Sequence, residues 1–181
     1  FPYTTLFRSI DPDRFTVLMM SGGMGTTGID GLSRRALELT PDIQIVALAG
    51  NNKKLLEELN AVAGQFPAGR LKPMPFTNTV ELIMACSDIA VSKPGGLTSS
   101  ECLAMGLPMI IVSPIPGQEE RNADYLLENG AAMKAIDAAG IAYRLRQLMS
   151  DRKKLDAMRA AAKRIAKPNA AETILRTIIG R

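Results

Sequence analysis

Between residues 92 and 101 the chain reads Ser-Lys-Pro-Gly-Gly-Leu-Thr-Ser-Ser-Glu, and these residue types at this spacing fit the capture of a phosphorylated ligand. Gly95 and Gly96 let the backbone turn sharply and approach a ligand with no Cβ in the way. Thr98, Ser99 and Ser100 put hydroxyls and free backbone N–H groups at the start of a helix, where an anion is favoured. Glu101 follows about one turn later, placed to accept a hydrogen bond from a sugar hydroxyl. One short segment can therefore hold a phosphate and a ribose together. The same residues also serve ordinary turning and capping at strand-to-helix junctions, so the decision falls to the rest of the chain.

The elements that would position this segment alternate between strand and helix. Phe15–Met20 and Ile43–Ala49 are continuous apolar runs of strand length, the pattern of strands buried on both faces of a parallel sheet. Residues 70–74 read as a short edge strand, because Pro73 cannot donate to a ladder. Residues 88–92 feed the glycine segment, and residues 108–112 and 131–134 supply two further strands. Helical patterns cover 29–39, with Ile29, Leu32, Ala36 and Leu39 inward, and 53–63, with Leu55, Leu56, Leu59 and Val62 inward and Gly64 as the cap. Further helices are expected over 79–86, 97–105, 118–128, 137–149 (with Asp137 as N-cap), 151–167 and 169–179. The expectation is an α/β fold, a Rossmann-like parallel sheet of about six strands flanked by helices. Ligands of such sheets sit at the carboxyl ends of the strands. The loops 21–28, 50–52, 92–101 and 113–122 all follow strands.

With 181 residues, 46% of them apolar, the chain is one domain or a large part of one. The net charge of +4 fits phosphate-bearing ligands, and with 4% aromatics and no basic–aromatic interleaving, nucleic acid is not the expected partner. There is no histidine, and Cys86 and Cys102 have no metal-ligand spacing. The usual zinc sites and any histidine base within this chain are excluded, and no metal site is expected. Both cysteines read as reduced core residues, and no apolar run reaches the length of a membrane span. The expected location is cytoplasmic, with any membrane contact peripheral. Phe1–Ser9 fits nothing downstream. Residues 1–13 are expected to be a disordered or foreign segment, 14–167 a ligand-binding domain, and 168–181 a C-terminal helix. The basic residues of 144–167 read mostly as a solvated helix face.

Gly23-Met24-Gly25-Thr26-Thr27-Gly28 matches the GxGxxG fingerprint of dinucleotide sites. That fingerprint needs an acid about 20 residues on, near the end of the second strand, to hold the ribose. Here the second strand ends in Gly50-Asn51-Asn52, with no acid, so NAD and FAD are disfavoured. No GxxxxGK[ST] motif is present, which excludes a P-loop nucleotidase.

Taken in order, the motifs are a glycine loop after the first strand, Gly50-Asn51 after the second, Pro75-Phe76-Thr77 after the third, Ser92–Glu101 after the fourth and Pro114–Ala123 after the fifth. This series resembles the C-terminal, donor-binding domain of GT-B glycosyltransferases. Within that fold it is similar to the branch of monogalactosyldiacylglycerol synthases and processive diacylglycerol glucosyltransferases. It is more distantly similar to the peptidoglycan transferase that adds N-acetylglucosamine to a lipid-linked precursor. The resemblance runs from Phe15 to Lys134. It implies one half of a GT-B fold and a UDP-hexose donor, a substrate rather than a cofactor. Backbone around Phe76 and Thr77 would hold uracil, and Glu101 the ribose. Gly95, Gly96, Leu97 and Thr98 would hold the diphosphate, with Gln118, Glu119 and Asn122 at the hexose. Gly22 and Gly23 would lie at the cleft between domains. Asn51 and Lys93 are counted with the donor site, although Asn51 equally serves a strand-end turn and Lys93 equally snorkels past the glycines.

The resemblance also implies an N-terminal domain, outside these residues, that binds a lipid acceptor such as diacylglycerol and supplies the catalytic base. The chain alone would then bind donor and transfer little. The helix over 169–179 would pack toward that domain and expose Ile174, Leu175 and Ile178, or cover them by self-association. A UDP-sugar 2-epimerase-like domain is one rival, disfavoured by the lack of histidine. A non-catalytic nucleotide-sugar-binding subunit is another.

Overall fold

A computed structural model describes residues 10–20 and 28–180. Six strands form one sheet: β1 (Phe15–Met20), β2 (Ile43–Leu48), β3 (Leu71–Met74), β4 (Ile89–Ser92), β5 (Met109–Ile111) and β6 (Ala132–Lys134). All neighbouring pairs are parallel, in the order β3-β2-β1-β4-β5-β6. Every residue of β1 and β2 is buried, as their continuous apolar runs require. β3 lies at one edge, with Pro73 opposite Ala47.

The helices are α1 (Ile29–Leu39), α2 (Lys53–Ala63), α3 (Val80–Ala85), α4 (Gly96–Met105), α5 (Gln118–Glu128), α6 (Ala138–Ser150), α7 (Arg152–Ile165) and α8 (Ala170–Ile179). Alternating side chains of β1 divide the core in two. Phe15, Val17 and Met19 join Leu55 and Leu59 of α2 and Ile141 and Leu145 of α6. Leu18 and Met20 join Ile83 of α3, Cys102 of α4, Leu126 of α5 and Ala162 of α7. Asn52 caps α2 by accepting from the Leu55 amide at 3.0 Å. Asp137 caps α6 by accepting from the Gly140 amide at 2.7 Å.

The inward face of α1 is wider than expected: Ile29 and Ala36 are in the core, Leu32 packs against it, and Ser33 and Leu37 join them. In α1 the buried residues are Ile29, Ser33, Ala36 and Leu37, whereas Leu32 and Leu39 are half-buried. Ser33 can sit inside because its hydroxyl donates to the Met19 sulfur at 3.1 Å. Leu56 of α2 is half-buried and packs against the core, as expected.

The amino-terminal edge of the sheet is tied together by polar side chains. Asp88 accepts from the Thr16 amide at 2.9 Å, and its own amide donates to the Thr16 carbonyl at 2.8 Å. Arg159 of α7 donates to the same carboxylate at 2.8 Å, so part of the basic C-terminal face is structural rather than solvated. Buried Gln44 accepts from the Asp11 amide at 3.0 Å, which pins residues 10–13 to β2. Buried Arg70 donates to the carbonyls of Ile43 (2.8 Å), Thr40 (3.2 Å) and Leu37 (3.4 Å), closing the end of α1.

The strand order reverses between β1 and β4, which makes their carboxyl ends the switch point of the sheet and the place of its crevice. In parallel sheets that crevice is where ligands bind.

Candidate functional site

A cavity of about 420 Å³ opens at the carboxyl end of the sheet, beside the switch point. Its floor is Met20 and Leu48, the last residues of β1 and β2. One wall is Gly50 of the turn after β2 with Pro75, Phe76, Thr77 and Asn78 of the loop after β3, continued by Val80 and Glu81 of α3. The other wall is the first turns of α4, with Leu97, Thr98 and Glu101. The walls hold their shape through backbone bonds. The Phe76 amide donates to the Gly50 carbonyl at 2.8 Å, and the Ala49 amide to the Met74 carbonyl at 2.8 Å. The Thr77 hydroxyl accepts from the Thr79 amide at 3.1 Å.

Phe76 is 61% exposed and Leu97 82% exposed, so neither is a core residue. Both leave large apolar side chains in solvent along the same cavity.

The start of α4 borders this cavity. Gly95 is its N-cap and offers no side-chain cap bond. The Ser99 amide bonds the Gly95 carbonyl at 2.9 Å. The N–H groups of Gly96, Leu97 and Thr98 precede that bond and have no acceptor within the helix. They form a positively polarised patch.

Gly95 has φ −62° and ψ 149°, backbone that any residue adopts, so no sharp turn demands a glycine there. A Cβ at Gly95 would meet nothing within 4 Å, and one at Gly96 would meet only Gln118 Nε2, at 3.7 Å. The fold itself leaves both positions open to side chains. Of the three hydroxyls expected at the helix start, only that of Thr98 belongs to a residue lining the cavity. Ser100 bonds back to the Gly96 carbonyl at 2.9 Å, and Ser99 Oγ is buried without a partner among the described residues.

The loop after β5 brings α5 against this turn. Gly117, at φ +102°, needs its glycine. Glu119 accepts from the Ile115 amide at 2.7 Å, and Glu120 from the Gly117 amide at 3.3 Å. Asn122 donates to the Pro94 carbonyl at 2.9 Å. Gln118 is exposed beside Gly96.

The expected site residues thus fall into two adjoining groups. Phe76, Thr77, Leu97, Thr98 and Glu101 share the cavity. Gly95, Gly96, Gln118, Glu119 and Asn122 form the turn beside it. Lys93 is half-buried just before this turn, and no ion pair engages it among the described residues. Asn51 is exposed in the turn after β2 and does not line the cavity, while its neighbour Gly50 does. Gly22 and Gly23 lie outside the described residues. Met20, Leu48, Asn78, Val80 and Glu81 were not anticipated. The rule that ligands meet strand ends would have found the first two, and closeness to Phe76 the others.

Among the described residues, no group of three His, Cys, Asp or Glu side chains converges as a metal site would need. No helix among them is long and apolar enough to cross a membrane.

The fold has close counterparts among solved structures. MurG from Acinetobacter baumannii superposes with a TM-score of 0.79 at 21% identity, over 96% of this chain and 52% of that one. A UDP-GlcNAc 2-epimerase from Neisseria meningitidis, bound to UDP-GlcNAc, superposes with a TM-score of 0.74 at 17% identity, over 99% of this chain and 48% of that one. At these identities both likenesses establish the fold alone.

Sequence relatives are more discriminating. A processive diacylglycerol β-glucosyltransferase from Bacillus licheniformis is 30% identical over 170 residues, 94% of this chain and 44% of the relative. One from Bacillus thuringiensis is 31% identical over 163 residues, 90% of this chain and 42% of the relative. The chain therefore spans less than half the length of these relatives. These matches favour a glycosyltransferase over an epimerase. The model of the glycosyltransferase family 28 C-terminal domain matches residues 22–174, and the chain belongs to that family.

Proposed function

We propose that this chain binds a UDP-hexose and forms the donor-binding half of an inverting glycosyltransferase that passes the hexose to a lipid acceptor such as diacylglycerol. One observation carries the reading: a cavity walled by exposed Phe76 and Leu97 meets Glu101 and the unsatisfied first amides of α4. Uracil fits between the apolar walls, with its polar edge on the backbone of Phe76 and Thr77. The ribose hydroxyls donate to Glu101. The diphosphate takes the N–H groups of Gly96, Leu97 and Thr98, with Lys93 nearby. The hexose then extends toward Gln118.

In the transfer an acceptor hydroxyl oxygen bonds to the anomeric carbon as the bond from that carbon to the UDP oxygen breaks. Negative charge grows on the leaving diphosphate, and the α4 amides and helix dipole stabilise it without reorganising. The acceptor's proton goes to a base outside the described residues. Acceptor and base belong to the part of the relatives' length that this chain does not span. The apolar face of α8, with Ile174, Leu175, Ile178 and Ile179 all more than half exposed, packs toward that second domain. Peripheral contact with a cytoplasmic membrane surface follows from a lipid acceptor.

Nuclear magnetic resonance tests the site directly. UDP added to the isotope-labelled chain should shift the amides of Phe76, Gly96, Leu97 and Thr98 together. Shifts confined to other regions would rule the site out.

A further inference from the structure

Asn122 lies on the second turn of α5, half-buried, and its side chain is already engaged. Its Nδ2 donates to the Pro94 carbonyl at 2.9 Å across 28 residues of sequence. Pro94 directly precedes Gly95, the N-cap of α4. A peptide unit is rigid and trans, so its carbonyl and the following N–H point in opposite directions. Fixing the Pro94 carbonyl toward α5 therefore fixes the Gly95 N–H away from α5, while the next peptide unit is held by the Ser99 amide on the Gly95 carbonyl. Gly95 and Gly96 have no side chains with which to hold this turn, and free glycine backbone samples many conformations. The Ser92 hydroxyl is turned to the Met20 carbonyl at 3.2 Å and does not brace it.

We propose that Asn122 is a positioning residue for the diphosphate: through Pro94 it holds the Pro94–Gly95 peptide plane, and with it the Gly95 N–H, in its binding orientation, and so acts on the nucleotide rather than on the hexose. This rests on the UDP-sugar reading above. Glu119 does the same for the neighbouring loop through the Ile115 amide. Gln118 is left as the side chain of this turn of α5 free to meet the sugar. Without the anchor, ligand binding must itself order the turn, which weakens affinity.

The test titrates uridine, UDP and UDP-glucose into the labelled chain and its Asn122→Ala variant, following amide shifts. Loss of one buried-type hydrogen bond is expected to weaken UDP by about 3- to 10-fold. UDP-glucose should weaken by the same factor and uridine should be unchanged, with the Gly95 and Gly96 amides displaced in the free variant. Asn122→His, whose Nδ1–H can replace the amide donor, should restore UDP binding. If Asn122→Ala disrupts folding, Asn122→Asp keeps the shape, removes the donor and carries the same comparison. Weakening of UDP-glucose alone would make Asn122 a hexose ligand and overturn the proposal. So would unchanged affinities throughout. If the unsubstituted chain binds no UDP, the donor-site reading fails, and this inference with it.

Discussion

The carboxamide of Gln118 lies beside Gly96, so close that a Cβ on Gly96 would come within 3.7 Å of its Nε2. This places the first residue of α5 against the first residue of α4, two helix starts fed by adjacent strands β4 and β5. A hexose β-linked or α-linked to a diphosphate on α4 would meet α5 at once. The fold leaves the space between them open.

Gly96→Ala separates stability from binding. The contact at 3.7 Å is ordinary packing, so the variant should fold and gain about 0.4–1 kcal/mol from a stiffer unfolded chain. Its methyl stands where a phosphate must approach the amides, so UDP affinity should fall about tenfold or more, one charge-assisted contact being worth about 1.5–3 kcal/mol. Denaturant melts beside calorimetry check this. A variant that binds UDP as well as the parent would remove the diphosphate from this turn.

Asp88→Ala acts at the far edge of the sheet. It removes an acceptor from the Thr16 amide and the partner of Arg159. The expected cost is about 1–3 kcal/mol of stability with UDP affinity unchanged. Retained stability would mean that the two bonds are replaced by water.

Burial, with the nearby Glu101 charge second, pushes the Cys102 thiol up to about 12 from its ordinary 9.0. A raised folded-state value gives stability that is complete below about 9 and lost as pH rises through about 12. The slope of stability over that window should flatten in Cys102→Ala. At pH 8 a thiol reagent should label Cys102 only as fast as the chain opens, with half-buried Cys86 reacting sooner. Rapid labelling of Cys102 in the native chain would contradict its burial.

The face of α8 formed by Ile174, Leu175, Ile178 and Ile179 is exposed, as the sequence expectation for this helix required. In the chain by itself, that face should drive concentration-dependent self-association in sedimentation experiments. Ile174→Lys with Ile178→Lys should abolish it. A chain that stays monomeric at high concentration would show that this face needs no cover.

The sheet was legible because buried parallel strands write themselves as continuous apolar runs, seen in β1 and β2, and the loop motifs follow them in register. Phe76 was singled out through the resemblance and Glu101 through its place one turn into the helix after the glycines, and both line the cavity. The bonds that hold the site were not. Arg70 closes α1 through three carbonyls, and Asn122 reaches Pro94, but backbone carbonyls are identical at every residue and leave no mark in a sequence. Gly95 invited a reading as a tight turn because glycine usually signals positive φ, yet its φ is −62°. A Cβ there would meet nothing within 4 Å, so its lack of a side chain does not follow from how the chain bends.

The cavity between Phe76 and Glu101 is expected to take a uridine diphosphate. Calorimetric titration with UDP, UDP-glucose, UDP-galactose and NAD, repeated with Glu101→Ala, tests it most directly. UDP should bind and NAD should not, and Glu101→Ala should weaken UDP by about 1–3 kcal/mol through loss of a charge-assisted bond to ribose. Binding of NAD in place of UDP, or UDP binding indifferent to Glu101, would contradict it.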